Sequence, residues 1–257
     1  RVELTPEEAR LRTEQGGTLL CLDVPEGTSV GLDCVLWEAG ARFQGVKMLP
    51  PGLHFACVGS SEGRVGEFFV SSRASVEVRR WDAANEEFAE GSGMPAEEVE
   101  RFAHGVRRFD FDAGLGPYPP EAGPVWKRLS AHITDAVLER CGIPVGTRIA
   151  PGDPEIEIEA GAAAAEGSVT PYFANVARAP RFSAIGERRV PGMDPSEVTR
   201  LNVDGAARLG HILAREYGSA TADDDDKRWR LLLGEIEVAF VLFLLLSSMS
   251  AFEHWKA

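Results

Sequence analysis

An α+β protein, with an antiparallel β-rich N-terminal sandwich or barrel followed by a helical half, is the fold class this sequence predicts. Three observations carry the prediction. Apolar residues recur with the strand period between Thr18 and Asp82 and with the helical period from about residue 95 onward. The first region is cut into short runs by turn residues, as in closed or sandwiched antiparallel sheets. The second carries long one-sided apolar stripes. The expected organisation is a β-rich domain over 1–90, a helical and irregular linking region over 91–191, and the start of a helical C-terminal domain over 192–257.

The elements follow in order. Thr5-Pro6-Glu7-Glu8 opens a helix, because Thr5 can cap, Pro6 suits the first helical position and Glu8 can close a capping box. Gly16-Gly17 ends it. Candidate strands cover 18–24, 30–37, 43–48, 53–58, 64–70 and 75–81, separated by Pro25-Glu26-Gly27, Ala39-Gly40, Pro50-Pro51-Gly52 and Ser60-Ser61-Glu62-Gly63. Pro50-Pro51-Gly52 is the sharpest of these turns. Proline fixes φ and removes a donor, the residue before it is pushed to extended geometry, and Gly52 is expected at positive φ. Helical spacing of Val99, Phe102 and Val106 marks a helix near Ala96. One helix is expected over 124–141, with Trp126, Leu129, Ile133, Val137 and Leu138 on its stripe, and another over 204–217. Between them, Ile156-Glu157-Ile158-Glu159 alternates like a strand and 161–167 is alanine-rich. Asp223-Asp224-Asp225-Asp226-Lys227 reads as a solvated acidic loop before a last helix running over 227–256, roughly 40 Å at 1.5 Å per residue.

The 257 residues are 44% hydrophobic and 26% charged, with 40 acidic against 27 basic side chains and a net charge of -13. A surface that negative repels phosphate backbones, which disfavours direct, non-specific nucleic-acid binding but leaves room for a local basic patch. The pairs Arg79-Arg80, Arg107-Arg108 and Arg188-Arg189 read as solvated charge. Cys21, Cys34, Cys57 and Cys141 show neither Cys-x-x-Cys nor zinc spacing, and no Asn-x-Ser/Thr acceptor occurs, so a reducing cytosolic or nuclear compartment is expected. The apolar run 238–246 is too short for the roughly 18–20 residues a membrane span needs and reads as a buried core helix.

No phosphate loop, dinucleotide fingerprint, nucleophile elbow or His-Glu-x-x-His is present. No catalytic residue, cofactor or metal is therefore expected. The enzymatic alternative is a site in the β region centred on His54, with Asp33 as acid–base partner. A histidine satisfied inside a strand is the plainer reading.

One set of residues now stands out. Gly31-Leu32-Asp33, Trp37, and Phe43-x-Gly45-Val46-Lys47-Met48-x-Pro50-Pro51-Gly52-Leu53-His54-Phe55 are joined by Gly63-Arg64-x-Gly66 and Arg80-Trp81-Asp82. Further on come Leu115-Gly116-Pro117-Tyr118-Pro119, Leu233-Gly234-Glu235 and Ala251-Phe252-Glu253-His254-Trp255-Lys256. Together they resemble the A1-alpha2-repression splicing factors, assembly factors of the U5 small nuclear ribonucleoprotein. The resemblance implies a VHS-like helical domain, no enzymatic activity, and residence in cytoplasm and nucleus. It implies binding to the large central U5 protein at its RNase H-like and MPN-like domains, with delayed loading of the particle's RNA helicase. Trp37, Lys47, Pro50, Pro51, Gly52, His54, Trp81, Glu235, Phe252, Glu253, His254 and Trp255 are the positions it marks as structural or partner-binding. Leu246 stands where the family has glycine, and Met249 near a family tyrosine. The resemblance also implies further helices and a tail beyond Ala257, so a truncation there is expected. The alternative without U5 is a protein-interaction adaptor with a VHS-like domain.

Overall fold

The computed structural model describes residues 5–60, 63–89, 93–151, 180–185, 193–218 and 222–257. Helix α1 (Pro6–Gln15) begins at the expected capping box: Glu8 N–H donates to Thr5 Oγ1 at 3.3 Å, and Thr5 N–H donates to Glu8 Oε2 at 2.9 Å. It ends at Gly16, and none of its residues is buried.

Strands β1 (Gly17–Leu22), β2 (Ser29–Leu32), β3 (Val35–Glu38), β4 (Gly45–Leu49), β5 (Gly52–Ser60), β6 (Gly63–Ser71), β7 (Val76–Asp82), β8 (Glu87–Phe88) and β9 (Leu115–Pro117) follow. They form two open sheets, β8-β7-β1-β4-β9 and β3-β2-β5-β6, and not a closed barrel. Pairing is mostly antiparallel, as expected, but β1–β7 and β4–β9 are parallel. Each parallel pair is joined by a long excursion through other elements, which parallel pairing requires. One expected strand, 30–37, is a hairpin instead. It turns at Asp33-Cys34, with Leu32 opposite Val35, because Asp33 takes the left-handed conformation at φ 54° that aspartate tolerates.

The sheets are covered on both faces. Leu19 and Cys21 enter a core between the sheets with Val30, Leu32, Ala56, Val58 and Phe69. Leu20 and Leu22 point the other way, under Val99, Phe102 and Val106 of α2 (Ala96–Arg107). On the second sheet Phe55, Cys57 and Phe68 turn outward to meet the helical half. Burial of both faces accounts for near-continuous apolar runs such as Leu19–Leu22, as in other two-sided sheets. Arg79, expected as solvated charge, is buried beside Glu67, because β7 lies inside its sheet. Arg107 stays at the surface, paired with Glu100 at 2.7 Å.

The helix expected over 124–141 is two helices, α3 (Ala122–Leu129) and α4 (Asp135–Arg140). Ser130 closes the first, its N–H donating to Trp126 O at 2.9 Å, and Thr134 opens the second by accepting from Val137 N–H at 3.4 Å. Helix α5 (Pro195–Val203) starts from Asp194 and Pro195, and α6 (Gly205–Tyr217) from Asp204. Helix α7 (Ala222–Leu246) already contains the acidic stretch expected as a loop, since negative charge is favoured in a first helical turn. It does not continue to Lys256. Ser247 at φ 58° stops it, its N–H donating to Phe243 O at 3.0 Å, and Ser248 caps α8 (Met249–Lys256).

Val238, Ala239, Val241, Leu242, Leu245 and Leu246 are fully buried, so 238–246 is the core helix the sequence predicts. No helix among the described residues is long and apolar enough to cross a membrane. The strand expected at Ile156–Glu159, the alanine-rich piece 161–167 and Arg188-Arg189 lie outside the described residues.

A groove over a buried histidine, and a second histidine node

Strand β4 leaves its sheet irregularly. Thr18 pairs with Lys47 and Gly17 with Leu49, so Met48 bulges out at φ 65°. Pro50 and Pro51 follow, and Gly52 sits at φ 138°, the positive value expected of it. This turn forms one wall of a groove of about 810 Å³ whose other walls are α1 and α3. Met48, Pro51 and Leu53 line it, with Leu11 and Arg12 on one side and Lys127 on the other.

Beneath the turn lies a polar node. Asp33 is fully buried, and its Oδ1 accepts from Phe55 N–H at 3.0 Å. Its Oδ2 accepts from His54 Nδ1 at 2.8 Å and from the Tyr118 hydroxyl. His54 Nε2 reaches Pro50 O at 2.7 Å. Both partners of the imidazole are acceptors, so both ring nitrogens donate and the ring is the cation. Burial alone would lower the pKa of His54, but the hydrogen bond and charge of Asp33 and the Pro50 carbonyl raise it above the usual histidine value. Burial and the Asp33 charge push the Tyr118 phenol upward. The node therefore pins the Pro-Pro-Gly turn to the β2–β3 hairpin.

A second node sits in the helical half. Glu235 on α7 is buried and accepts from Ser183 N–H, from Ser183 Oγ at 2.9 Å and from the Tyr217 hydroxyl at 2.7 Å. Arg140 Nε lies 3.6 Å away, with its guanidinium 4.3 Å from the Tyr217 ring. His254 Nε2 stands 3.4 Å from Glu235 and stacks on Phe182, centroids 4.5 Å apart. Burial lowers the pKa of His254, outweighing the pull of Glu235.

The expected positions thus fall into clusters. Pro50, Pro51, Gly52 and His54 meet at the groove, and Glu235 and His254 meet in the second node. Trp37 and Trp81 pack against the inter-sheet core. The Lys47 ammonium pairs with Asp112. Phe252 and Trp255 join Phe240 and Phe243 in an aromatic cluster, while Glu253 pairs with Lys256 at the surface. Leu246 is buried at the end of α7 and Met249 is 63% exposed. Ser183, Arg140 and Tyr217 were not singled out from the sequence, and Tyr118 only as part of the Leu115–Pro119 motif, with no role assigned. Tyr118 alone had a signal, its place between two prolines. Among the described residues no group of three or more His, Cys, Asp or Glu side chains is placed to hold a metal ion.

Two layered sheets with a helical half packed on one of them, and a groove between α1, the Pro-Pro-Gly turn and α3, define a two-part α+β protein. Residues 15–143 match the AAR2 N-terminal domain and residues 182–257 the AAR2 C-terminal repeat region. The chain is similar to Protein AAR2 homolog of Homo sapiens, 30% identical over 292 residues, covering 99% of this chain and 71% of that protein. Its mouse counterpart (Mus musculus) is 31% identical over 292 residues with the same coverage, and that of Caenorhabditis elegans 27% identical over 275, covering 98% and 73%. The chain belongs to the AAR2 family. Membership agrees with the splicing-related role that the sequence resemblance implies.

Proposed function

We propose that this protein is a pre-mRNA splicing factor that acts as a non-catalytic assembly chaperone of the U5 small nuclear ribonucleoprotein. It binds the large central U5 protein, first at its RNase H-like domain and also at its MPN-like domain, and delays loading of the particle's RNA helicase. It works in cytoplasm and nucleus. The observation that carries this reading is family membership along 99% of the chain. A non-catalytic role is supported by the Asp33–His54 pair, in which Asp33 is fully buried with three donors and both ring nitrogens of His54 are engaged by internal partners. Burial also holds the thiols of Cys21 and Cys57 up to about 12, which removes them as nucleophiles at neutral pH. The net charge of -13 favours a basic protein surface over RNA.

The test has two arms. A pull-down from nuclear and cytoplasmic extracts, with mass identification, is expected to recover the large U5 protein. Titration of the chain against the isolated RNase H-like domain and against a U5 RNA fragment is expected to show binding to the protein only. Tight RNA binding at physiological salt, without protein binding, overturns the reading.

A further inference from the structure

We propose that the groove between α1, the Pro-Pro-Gly turn and α3 is a docking site for an extended acidic peptide segment of another protein, with apolar side chains against Met48, Pro51 and Leu53 and carboxylates on Arg12 and Lys127. Three observations lead there. The first is sign. The chain carries 40 acidic side chains, yet none lines this groove, whose charges above the buried His54 are Arg12 and Lys127. The second is pairing. Arg10, Arg79, Arg80, Arg107 and Arg140 each lie against a carboxylate, whereas among the described residues Arg12 and Lys127 form no ion pair; Arg42, Arg73, Arg108 and Arg128 also form none, but Arg12 and Lys127 share one groove. Two unpaired cations at opposite walls of one groove suit a ligand with charge at both ends.

The third observation is the wall itself. Helix α1 has 10 residues and none is buried. Isolated helices of that length are marginal in water. Its apolar residue Leu11 is 51% exposed and faces the groove. A bound segment would give α1 the apolar contact it lacks. The volume of about 810 Å³ lies within the range of about 300–1,000 Å³ found for ligand sites. The turn is held from below by His54 and Asp33, so the floor is formed before a ligand arrives. This inference does not depend on which protein carries the segment, and it stands or falls apart from the U5 reading.

The test is a selection of phage-displayed random peptides on the whole chain, counter-selected on the double variant Arg12→Glu/Lys127→Glu. Selected sequences are expected to carry Asp or Glu on either side of Pro, Leu or an aromatic residue. A fluorescein-labelled winner should bind about tenfold or more weakly to the double variant, with the melting temperature unchanged. Met48→Asp should weaken it as well. If the double variant melts early, Lys127→Gln alone reads the same contact from an exposed side chain. Selection of neutral or basic sequences, no selection at all, or affinity unmoved by charge reversal overturns the proposal. So does equal competition by a single-stranded oligonucleotide. A dimer that the double variant abolishes would assign the groove to a second copy and overturn it too.

Discussion

Each half of the molecule buries a carboxylate beside a histidine, and the pKa values of the two histidines move in opposite directions. In the β half, His54 has an acceptor at each ring nitrogen, and among the described residues that ring is the ion-pair partner of Asp33. The proton stays. In the helical half, Glu235 is already served by Ser183, Tyr217 and the nearby Arg140, and His254 stands 3.4 Å off with an aromatic ring stacked on its face. Desolvation wins there, and the ring is held below the usual histidine value. A carboxylate within reach does not decide the charge of a histidine. What decides it is whether the carboxylate is otherwise compensated: His254 also meets a backbone acceptor at Ser183, yet burial outweighs it and the shared Glu235 together.

The widest separation between the nodes should come from deleting each carboxylate. Asp33→Ala strands a buried cation, a backbone N–H and a phenol, and should cost about 3–5 kcal/mol in urea unfolding. Glu235→Ala strands the Ser183 and Tyr217 donors, while the Arg140 cation that loses its partner is a third exposed and keeps water, so about 2–4 kcal/mol is expected. Equal losses, or a larger one at Glu235, would break the contrast. Gly52→Val tests the turn that the first node pins. At φ 138° a β-branched residue is strained, and about 1–2 kcal/mol should be lost, read as a lower denaturation midpoint. An unchanged midpoint would show that the node, not the glycine, sets the turn.

The pH response should be opposite in sign at the two sites. The pKa of His54 is raised when folded, so its contribution is complete below the ordinary value of 6.5 and is lost as pH rises through the folded value above it. The pKa of His254 is lowered, so the unfolded chain takes up a proton first and stability falls as pH drops through 6.5 toward the folded value. His54→Asn should therefore differ from the parent most at low pH and least at high pH, and His254→Phe should remove part of the acid-side loss. Imidazole carbon-bound proton shifts, titrated by NMR, check both directions, and two histidines titrating together would refute the comparison. The smallest effect belongs to Glu253, 61% exposed and paired with Lys256. Glu253→Gln should change stability by under about 0.5 kcal/mol.

Local chemistry was legible where neighbours in sequence supply it. Thr5 and Glu8 close their box, Gly52 takes its positive φ, and the stripe of α2 packs as its spacing requires. Legibility failed where single residues reverse or stop an element. Asp33 and Ser247 each adopt positive φ, folding one expected strand into a hairpin and cutting one expected helix in two. Neither residue type announces that conformation as glycine does. The parallel pairs were also invisible, since β9 is three residues long and finds β4 only through the intervening chain. Of the candidate site, His54 and its turn were readable. Tyr118, which completes the node from 85 residues away, was not.

The Arg64 guanidinium of β6 donates at 2.8 Å to Leu245 O near the end of α7, a contact spanning 181 residues of chain. The same helix covers Phe55, Cys57 and Phe68. During synthesis, these aromatic and thiol side chains leave the ribosome long before the helix that shelters them. At about 5–20 residues per second the delay is roughly 10–35 s. For that interval the nascent chain carries an uncovered, aromatic sheet face, and its yield in the cell should depend on holdase capacity and on translation speed more than its finished stability would suggest.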